Sequence, residues 1–397
     1  MLRFFVASPL VVSESPGLRA QVLGAGPTGA LAALALAHVG WSVQLQDPLS
    51  AEALCRRSRA YALTHSSREL LERLELWYGL EPHLVPFRRL ELWDRAIGHQ
   101  VAFGVADLPA RLRHGGGDAV GWILQHQPLM DLLLAALRRQ PLIQLQLGGE
   151  APAEAAPFDL VVAADGHGSP ARRAAGLGQL RRPYRQGCLT VQVGLRGSEP
   201  DQAWELFRPE GPFAVLPLGG NHFQLVWSAP LERLRRLEQL EPVAFLDALS
   251  AALPEQLQAE WLLDQPRAFP VALELAWPLR RRRLVLVGEA AHRCHPVGGQ
   301  GLNLCWRDLE ALQQLAAQVA SGRLAAARLP GRYARRRWLD ILLVLLATDA
   351  LVRLFSNRQP LLLPLRQLAL LGLRRWRPLR RLSLVAMTLG PCRLLRS

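Results

Sequence analysis

Three glycines near the start of the chain, Gly24, Gly26 and Gly29, have the spacing of a dinucleotide-binding loop. The motif follows the strand-like segment 19–23 and leads into the apolar helical segment 30–39. In that setting the first glycine allows a tight turn, the second admits a pyrophosphate, and the third lets the helix pack on the strand. The motif therefore predicts a dinucleotide site, without distinguishing FAD from NAD.

Asp47 follows the next strand-like segment, 41–46, and lies 18 residues beyond Gly29. An acidic residue at this place in a βαβ unit accepts hydrogen bonds from the adenosine ribose. The sequence therefore predicts that Asp47 makes the ribose contact.

A second glycine-rich loop, containing Gly298, Gly299 and Gly301, lies between the apolar strand 284–287 and a helix. Free backbone N–H groups and the positive end of the helix dipole make such a loop an anion site, and glycine lets a flat ring approach the backbone. Glu289, at the end of the strand, is placed to hold a sugar hydroxyl. We interpret this loop as half of a flavin site.

Two other positions are candidates for the same site. Asp165 and Gly166 follow the apolar run 158–164, at the carboxyl end of a predicted strand, where open α/β sheets bind ligands. Arg59 is one of three arginines close to the first glycine motif, and its planar side chain could pair with a phosphate. An ordinary solvated turn is the alternative for these arginines.

The composition limits the partners. The 397 residues carry 47 basic and 33 acidic side chains, a formal net charge of +14, and every basic residue apart from histidine is arginine. A compositional bias of the genome explains the arginines, and an anionic surface is a compatible partner. The arginines are not interleaved with stacking aromatic residues, so no nucleic acid partner is predicted.

The five cysteines are scattered and form no C-x-x-C pair, which favours a reducing, cytoplasmic compartment. His292, Cys294 and His295 are close in sequence but lack a matching second pair of ligands. We therefore predict no metal site.

The segment from Tyr184 to Trp277 reads as successive strands separated by Gly and Pro turns, without helices between them. This pattern predicts an antiparallel sheet inserted between two parts of the nucleotide-binding domain. Its aromatic side chains could line an apolar pocket, or they could belong to the ordinary core.

The C-terminal segment 360–397 mixes leucine runs with arginines. It fits an amphipathic helix pair on a membrane surface and fits a helical cap over the protein equally well. No stretch reaches the ~18 uninterrupted apolar residues of a spanning helix.

These patterns predict an α/β fold with an α+β insert: a Rossmann-type domain, an inserted antiparallel sheet and a C-terminal helical region. The predicted boundaries are a flexible N-terminal extension at 1–17, a discontinuous FAD-binding domain at 18–75, 115–180 and 278–335, a substrate domain at 76–114 and 181–277, and the helical, possible membrane-binding region at 336–397.

Taken together, these stretches resemble the group A FAD-dependent monooxygenases, which have the para-hydroxybenzoate hydroxylase fold, and most closely the ubiquinone-biosynthesis flavin hydroxylases. The resemblance covers nearly all of the chain from Arg19 onward. It is carried by the motifs above and by 59–63, 121–125, Tyr184 with Gln186, 203–205 with Phe207, 211–218, 226–227, 348–349 and 354–355.

The resemblance implies a set of FAD contacts. It places Gly24, Gly26 and Gly29 on the pyrophosphate, Asp47 on the ribose, Arg59, Gln125, Asp165 and Gly166 along the cofactor, Glu289 on the ribityl chain, and Pro296, Gly298, Gly299, Gly301, Leu302 and Asn303 beside the isoalloxazine ring. The family usually has aspartate where this chain has Glu289.

The resemblance also implies the chemistry. A flavin C4a-hydroperoxide would hydroxylate an aromatic ring, expected to be that of a prenylated phenol or quinone precursor, with molecular oxygen as co-substrate. Electrons would come from NAD(P)H or a separate reductase, and no catalytic acid or base is predicted.

The alternatives are a prenyl reductase or other FAD oxidoreductase of the superfamily, and a non-catalytic FAD protein of a quinone-biosynthesis complex. A cytoplasmic location is expected, with peripheral attachment to a membrane or to a quinone-pathway complex left open.

Overall fold

The computed structural model describes residues 17–113, 119–149 and 158–394. Residues 1–16 of the expected N-terminal extension therefore lie outside the described part of the chain. The strands are β1 Arg19–Leu23, β2 Ser42–Asp47, β3 Ala60–Leu63, β4 Leu84–Phe87, β5 Arg89–Asp94, β6 His99–Gly104, β7 Gly121–Gln125, β8 Ile143–Leu147, β9 Leu160–Ala163, β10 Gly178–Arg196, β11 Gln202–Phe207, β12 Phe213–Gly219, β13 His222–Pro230, β14 Gln258–Leu262, β15 Arg267–Trp277, β16 Arg280–Arg281, β17 Leu284–Leu286 and β18 His292–Arg293. The helices are α1 Pro27–His38, α2 Ala51–Cys55, α3 His65–Arg73, α4 Trp77–Leu80, α5 Ala110–Arg113, α6 His126–Arg139, α7 Pro170–Ala174, α8 Leu231–Glu238, α9 Pro242–Ser250, α10 Gln300–Ala320, α11 Leu329–Phe355, α12 Leu363–Arg375, α13 Arg377–Leu389 and α14 Pro391–Leu394.

A six-stranded sheet carries both glycine-rich loops. Its strand order is β16-β17-β9-β1-β2-β8, and every neighbouring pair except β16 with β17 is parallel. Because β1, β9 and β17 are adjacent and parallel, the turns that follow them emerge at one edge. The first glycine motif, Asp165 and Glu289 are thereby brought to the same edge of the sheet.

Helix α1 is apolar on all sides, and residues 29–37 are buried. It packs against β2 on the sheet and against α6 and α10, so no face of it meets solvent. Pro27 stands in its first turn, where a missing N–H costs no intrahelical bond. These features fix the start of the helix directly after Gly26.

A larger sheet lies beside this unit, with the order β18-β15-β10-β13-β12-β11-β5-β6 and with β14 paired to β10. Its pairs are antiparallel apart from β11 with β5, which run parallel. The Rossmann-type fold with an inserted sheet is confirmed. The expectation that this segment lacks helices was wrong in part, because α8 and α9 follow β13 and pack their apolar faces on one side of the sheet.

The third sheet, β3-β7-β4, is small and antiparallel, and it joins the two larger units. The last described part of the chain is helical: α11 runs from Leu329 to Phe355, across the predicted domain boundary at residue 336, and α12 and α13 form a pair. No helix within the described ranges is long and apolar enough to cross a membrane.

Candidate functional site

The first glycine loop is shaped by two steric demands of the protein itself. Gly24 has φ +97°, and a Cβ there would lie 2.6 Å from the carbonyl oxygen of Ala164. A Cβ on Gly29 would lie 1.8 Å from the carbonyl oxygen of Gly24. A Cβ on Gly26, in contrast, would meet nothing within 4 Å. The space beside Gly26 is therefore free to receive a ligand, which fits a pyrophosphate.

Asp47 at the end of β2 is buried and holds this loop in place. Its Oδ2 accepts a hydrogen bond from the backbone N–H of Ala25 at 2.7 Å, and its Oδ1 accepts from Leu49 at 2.8 Å. Each carboxylate oxygen has a second lone pair, so further hydrogen bonds from ribose hydroxyls are compatible with both contacts.

Asp165 follows β9, and one of its carboxylate oxygens is buried without a hydrogen-bond donor among the described residues. Its Oδ2 accepts from the backbone N–H of Ala171 at 2.9 Å, whereas its Oδ1 is buried and has no hydrogen-bond partner among the residues that the structure describes. Gly166 follows with φ +84°, and a Cβ there would also point into open space. A hydroxyl-rich ligand at this turn would satisfy the orphaned oxygen.

The turn that carries Glu289 is fixed by a buried charge network. Asp308 on α10 accepts hydrogen bonds from the Gly288 backbone at 2.9 Å, from His292 Nε2 at 2.7 Å and from Arg337 at 2.7 Å. Burial alone would raise the pKa of Asp308, but His292 and Arg337 hold it below its ordinary value. Glu289 itself has no hydrogen-bond or ion-pair partner among the described residues, so its carboxylate is available to a ligand.

Arg172 connects the two acidic turns. Its guanidinium donates to the carbonyl oxygen of Ala290 at 2.8 Å and to that of His167 at 3.2 Å. Arg172 lies seven residues after Asp165 in the sequence. The structure shows that it sets the distance between the Asp165 and Glu289 turns.

The second glycine loop turns on two consecutive left-handed residues, Gly298 with φ +68° and Gly299 with φ +62°. A Cβ on Gly298 or on Gly301 would meet nothing within 4 Å. Pro296 precedes the turn, and the N–H groups of the first turn of α10, including that of Leu302, have no acceptor within the helix. The loop thus offers an open, flat surface and several donors, as a flavin ring requires.

The Asn303 side chain is fully engaged inside the protein. Its Nδ2 donates to Ala62 and Gly299 carbonyl oxygens, at 2.7 and 2.9 Å, and its Oδ1 accepts from Thr64 and Ser67. Both N–H bonds are used, so this amide has no donor left for a cofactor. Its role is to attach the glycine loop to the β3–α3 connection.

A cavity of about 1090 Å³ connects these turns with the large sheet. Nine of the fifteen residues predicted to bind the cofactor line it: Arg59, Asp165, Gly166, Glu289, Pro296, Gly298, Gly299, Gly301 and Leu302. Gly24, Gly26, Gly29 and Asp47 lie on the neighbouring strand ends, and Asn303 lies behind the loop. Gln125 is the exposed last residue of β7, where it is paired with Ala60 of β3.

Arg59 is exposed at the rim of the cavity, with its guanidinium 5.3 Å from the centre of the Tyr61 ring. Tyr61 is held in turn by His126, whose Nδ1 lies 2.8 Å from the tyrosine hydroxyl. His126 Nε2 contacts the carbonyl oxygen of Leu54 at 2.7 Å, and burial lowers the pKa of this histidine. The His126 ring is therefore neutral, and it positions Tyr61 on the cofactor side of the cavity.

The opposite wall of the cavity is the face of the large sheet that α8 and α9 do not cover. The sequence did not indicate the most unusual residue on this face. Glu205 on β11 is buried, and its Oε2 accepts from the backbone N–H of Gly298 at 3.1 Å. The sequence named this residue only within a family stretch. Its neighbours on the sheet are known only once the strands are in register, so no local pattern distinguishes it.

The remaining histidine and cysteine neighbours have structural roles. His292 is bound to Asp308, and His295 is buried with its ring 5.2 Å from that of Tyr184. Burial lowers the pKa of His295 to about 4 and raises that of Cys294 to about 12. Among the residues that the structure describes, no group of three or more His, Cys, Asp or Glu side chains could hold a metal ion.

Two glycine loops at one sheet edge, two acidic turns and an adjoining sheet-walled cavity define an FAD-binding oxidoreductase. Residues 140–339 match the family model described as FAD binding domain. The chain is 30% identical to 3-demethoxyubiquinol 3-hydroxylase of Escherichia coli strain K12, over 91% of this chain and 96% of that protein. It is also 30% identical to ubiquinone hydroxylase UbiL of Rhodospirillum rubrum, over 93% of this chain and 90% of that protein.

Among solved structures, p-nitrophenol 4-monooxygenase PnpA from Pseudomonas putida DLL-E4 superposes with a TM-score of 0.75 at 19% identity, over 94% of this chain and 99% of that chain. This likeness shows the shared fold. The chain belongs to the group A FAD-dependent monooxygenases, in the branch of the ubiquinone-biosynthesis flavin hydroxylases. It is therefore an FAD-dependent monooxygenase.

Proposed function

We propose that the protein hydroxylates the aromatic ring of a prenylated phenol or quinone precursor in ubiquinone biosynthesis. The observation that carries this proposal is the shape and lining of the cavity. The flavin loop forms one side, and apolar residues of the large sheet and of α12 and α13 form the other. An aromatic ring can rest against the loop while a prenyl chain extends along the apolar wall.

The relatives support the same substrate class. Two proteins 30% identical to this chain are named as hydroxylases of ubiquinone or of a demethoxyubiquinol. Each is covered over nine-tenths or more of its own length, so the comparison includes the substrate side of the molecule.

We assign the cofactor as follows. The pyrophosphate would lie beside Gly26, the ribose at Asp47, and the ribityl chain between Asp165 and Glu289. Within the described part of the chain, Oδ1 of Asp165 and the Glu289 carboxylate have no hydrogen-bond donor, so a ligand would supply one. The flavin ring would rest on Gly298 and the start of α10. Arg59 remains a proposed contact at the rim, and Gln125 a proposed contact from outside the cavity.

Bound FAD would supply the oxygen chemistry, by the C4a-hydroperoxide route that the family resemblance implies. The protein's own part is to hold the ring against the loop and to keep water away from it, because an apolar wall protects a reactive group from hydrolysis. NAD(P)H, or a separate reductase, is the proposed electron source.

The domain division remains a proposal. In it, the six-stranded sheet with α10 binds FAD, and the large sheet, including β5 and β6, binds the substrate. The C-terminal helices from residue 336 onward then cover the cavity, since Ala369, Leu370, Leu373, Met387 and Thr388 are part of its lining.

We propose that the outer side of α12 and α13 rests on an anionic membrane surface. Leu361, Leu365 and Leu368 recur at helical spacing and are 86%, 51% and 68% exposed. Arg374, Arg375, Arg377 and Arg381 are exposed near them, and the sequence after Asp349 contains no acidic residue. The inner side of the same helices lines the cavity, so a lipid-soluble substrate would have a short path into it.

The decisive experiment is a lipid extraction from the host with the gene deleted. We expect mass spectrometry to detect a prenylated ring compound that lacks one oxygen atom, and we expect its conversion when the intact gene returns. Return of a Gly26→Val variant is the matched control and should leave the compound in place. An unchanged quinone pool in the deletion strain would rule out this substrate class.

A further inference from the structure

The cavity wall contains one carboxyl group in an otherwise uncharged row of side chains. The strand registers place one residue from each of five adjacent strands in this row, and all five line the cavity. They are Leu92, Glu205, Ala214, Val226 and Thr190. Across these five strands Glu205 is the only titratable group in the row; the next residue in register is Arg267 on β15, beyond Thr190, and it also lines the cavity.

Only one of the two carboxyl oxygens of Glu205 has a hydrogen-bond partner among the described residues. Oε2 accepts from the Gly298 N–H, whereas Oε1 has no hydrogen-bond partner in the part of the chain that the structure describes. No arginine pairs with it there either. A carboxyl group that is largely removed from water and has one oxygen without a donor disfavours folding, and an apolar residue of similar size would suit this wall better. The unused oxygen therefore points to a ligand that supplies a hydrogen-bond donor.

Burial raises the pKa of Glu205 to about 7, against the opposing effect of the Gly298 N–H. Cys188 on β10 interacts electrostatically with Glu205. The charged or titratable groups on the chain leading into the flavin loop are Glu289, His292, Arg293, Cys294 and His295, and Arg267 on β15 also lines the cavity. Burial raises the pKa values of Cys188 and Cys294 to about 12 and lowers that of His295 to about 4, so these three do not titrate near neutral pH. His292 also lines the cavity, but its Nε2 is hydrogen-bonded to Asp308.

We propose that Glu205 is the catalytic residue that binds the hydroxyl group of the substrate ring and accepts its proton. In this step the phenolic O–H bond breaks, its electron pair stays on the ring oxygen, and a new O–H bond forms at Oε1 of Glu205. A phenolate is richer in electrons than a phenol, so the ring becomes a better target for an electrophilic oxygen. This inference rests on the proposed function and adds a requirement that the substrate must meet.

That requirement is a free hydroxyl group on the ring. A methyl ether has no proton to donate, and a quinone carbonyl would place two acceptors against each other. The site should therefore prefer the phenol over its methyl ether, because a buried acceptor without a donor is costly.

Binding of 2-prenylphenol and of its methyl ether to the FAD-loaded protein tests the proposal, with the change in flavin absorbance as the signal. In the wild type we expect the phenol to bind about tenfold or more tightly than the ether, since a hydrogen bond to a charged group is lost. Phenol affinity should rise as the pH increases from 6 to 8, because Glu205 loses its proton in that interval.

The Glu205→Gln variant keeps an oxygen for the Gly298 N–H but cannot take up a proton. We expect it to retain FAD and thermal stability, to bind the phenol about as weakly as the ether, and to lose the pH dependence. Glu274→Gln is the matched control, because Glu274 is also a buried carboxylate but is paired with Arg181 outside the cavity. It should behave as the wild type.

The possible outcomes distinguish an error in the role of Glu205 from an error in the substrate class. If wild type and Glu205→Gln bind the phenol with equal affinity and equal pH dependence, the role of Glu205 is wrong while the substrate class stands. If the wild type binds neither compound, both the substrate class and the role of Glu205 are wrong. Loss of FAD in Glu205→Gln would show that the residue only supports the flavin loop and would also overturn the proposal.

Discussion

The hydroxyl group of Ser67 donates to Oδ1 of Asn303 at 2.6 Å, although 236 residues separate the two in sequence. This bond joins α3 to the start of α10 and so fixes the glycine loop that we assign to the flavin ring. The same amide donates to Ala62 on β3, which makes Asn303 the connection between loop, strand and helix.

Replacement of Asn303 by alanine should therefore loosen the flavin loop. Two carbonyl groups and the Thr64 N–H would lose their partner, and we expect the free energy of unfolding to fall by about 2 kcal/mol or more. Urea unfolding and the flavin content of the purified protein measure the two effects. Gln318→Ala, near the other end of α10, is the control and should change neither; equal stability of Asn303→Ala would contradict the role given to this amide.

Two glycine variants distinguish a glycine that is needed for folding from a glycine that is needed for FAD binding. Gly29→Ala places a Cβ against the Gly24 carbonyl oxygen, so we expect the FAD-free protein to lose about 3 kcal/mol of stability. A Cβ on Gly26 meets no protein atom within 4 Å, so we expect the FAD-free Gly26→Val protein to change by about 1 kcal/mol or less while FAD binding is lost.

Unfolding of the FAD-free proteins, together with titration by FAD, distinguishes the two. A Gly26→Val protein that binds FAD with wild-type affinity would show that the pyrophosphate does not lie beside Gly26.

The local structure around the first glycine loop could be predicted from the sequence for a physical reason. The segment from β1 through Gly29 to α1 is local, so its turn, its helix start and its glycine requirements can all be read from adjacent residues. Glu205 is different, because its significance depends on four strand registers and on a contact with Gly298, 93 residues away. Likewise, nothing in the local sequence shows that the Asn303 amide is already occupied.

The buried ion pairs between α10 and α11 predict a loss of stability in acid. Burial alone would raise the pKa of Asp340, but Arg307 and Arg337 lower it to about 2. A folded-state pKa below the unfolded value gives stability that is present above about pH 4 and is lost as the pH falls through 2. From this shift we expect about 2 kcal/mol from Asp340.

Urea unfolding at pH 5 and at pH 3 measures about half of this contribution, because pH 3 lies between the unfolded and folded pKa values, and Asp340→Asn should reduce the difference between the two measurements. The exposed pair of Glu52 with Arg56 provides the control, because Glu52→Gln should leave the pH dependence unchanged. An Asp340→Asn protein with the full wild-type acid sensitivity would contradict the assignment.

The exposed leucines of α12 and of the turn before it predict binding to lipid vesicles. Leu361, Leu365 and Leu368 would insert among the acyl chains, and the arginines beside them would pair with lipid phosphates. We expect sedimentation of the protein with vesicles that contain phosphatidylserine and much weaker sedimentation with phosphatidylcholine alone. Raising the salt concentration should weaken binding, because exposed charges are screened.

Substitution of these leucines by serine should weaken vesicle binding by about tenfold for each residue, since each loses the burial of an apolar side chain. Val243→Ser on α9 is the control, because Val243 is 72% exposed but lies outside α12 and α13. The triple leucine variant should keep its FAD content, since the altered side chains face away from the cavity. If it still sediments with vesicles as the wild type does, the membrane contact lies elsewhere and α12 serves only to cover the cavity.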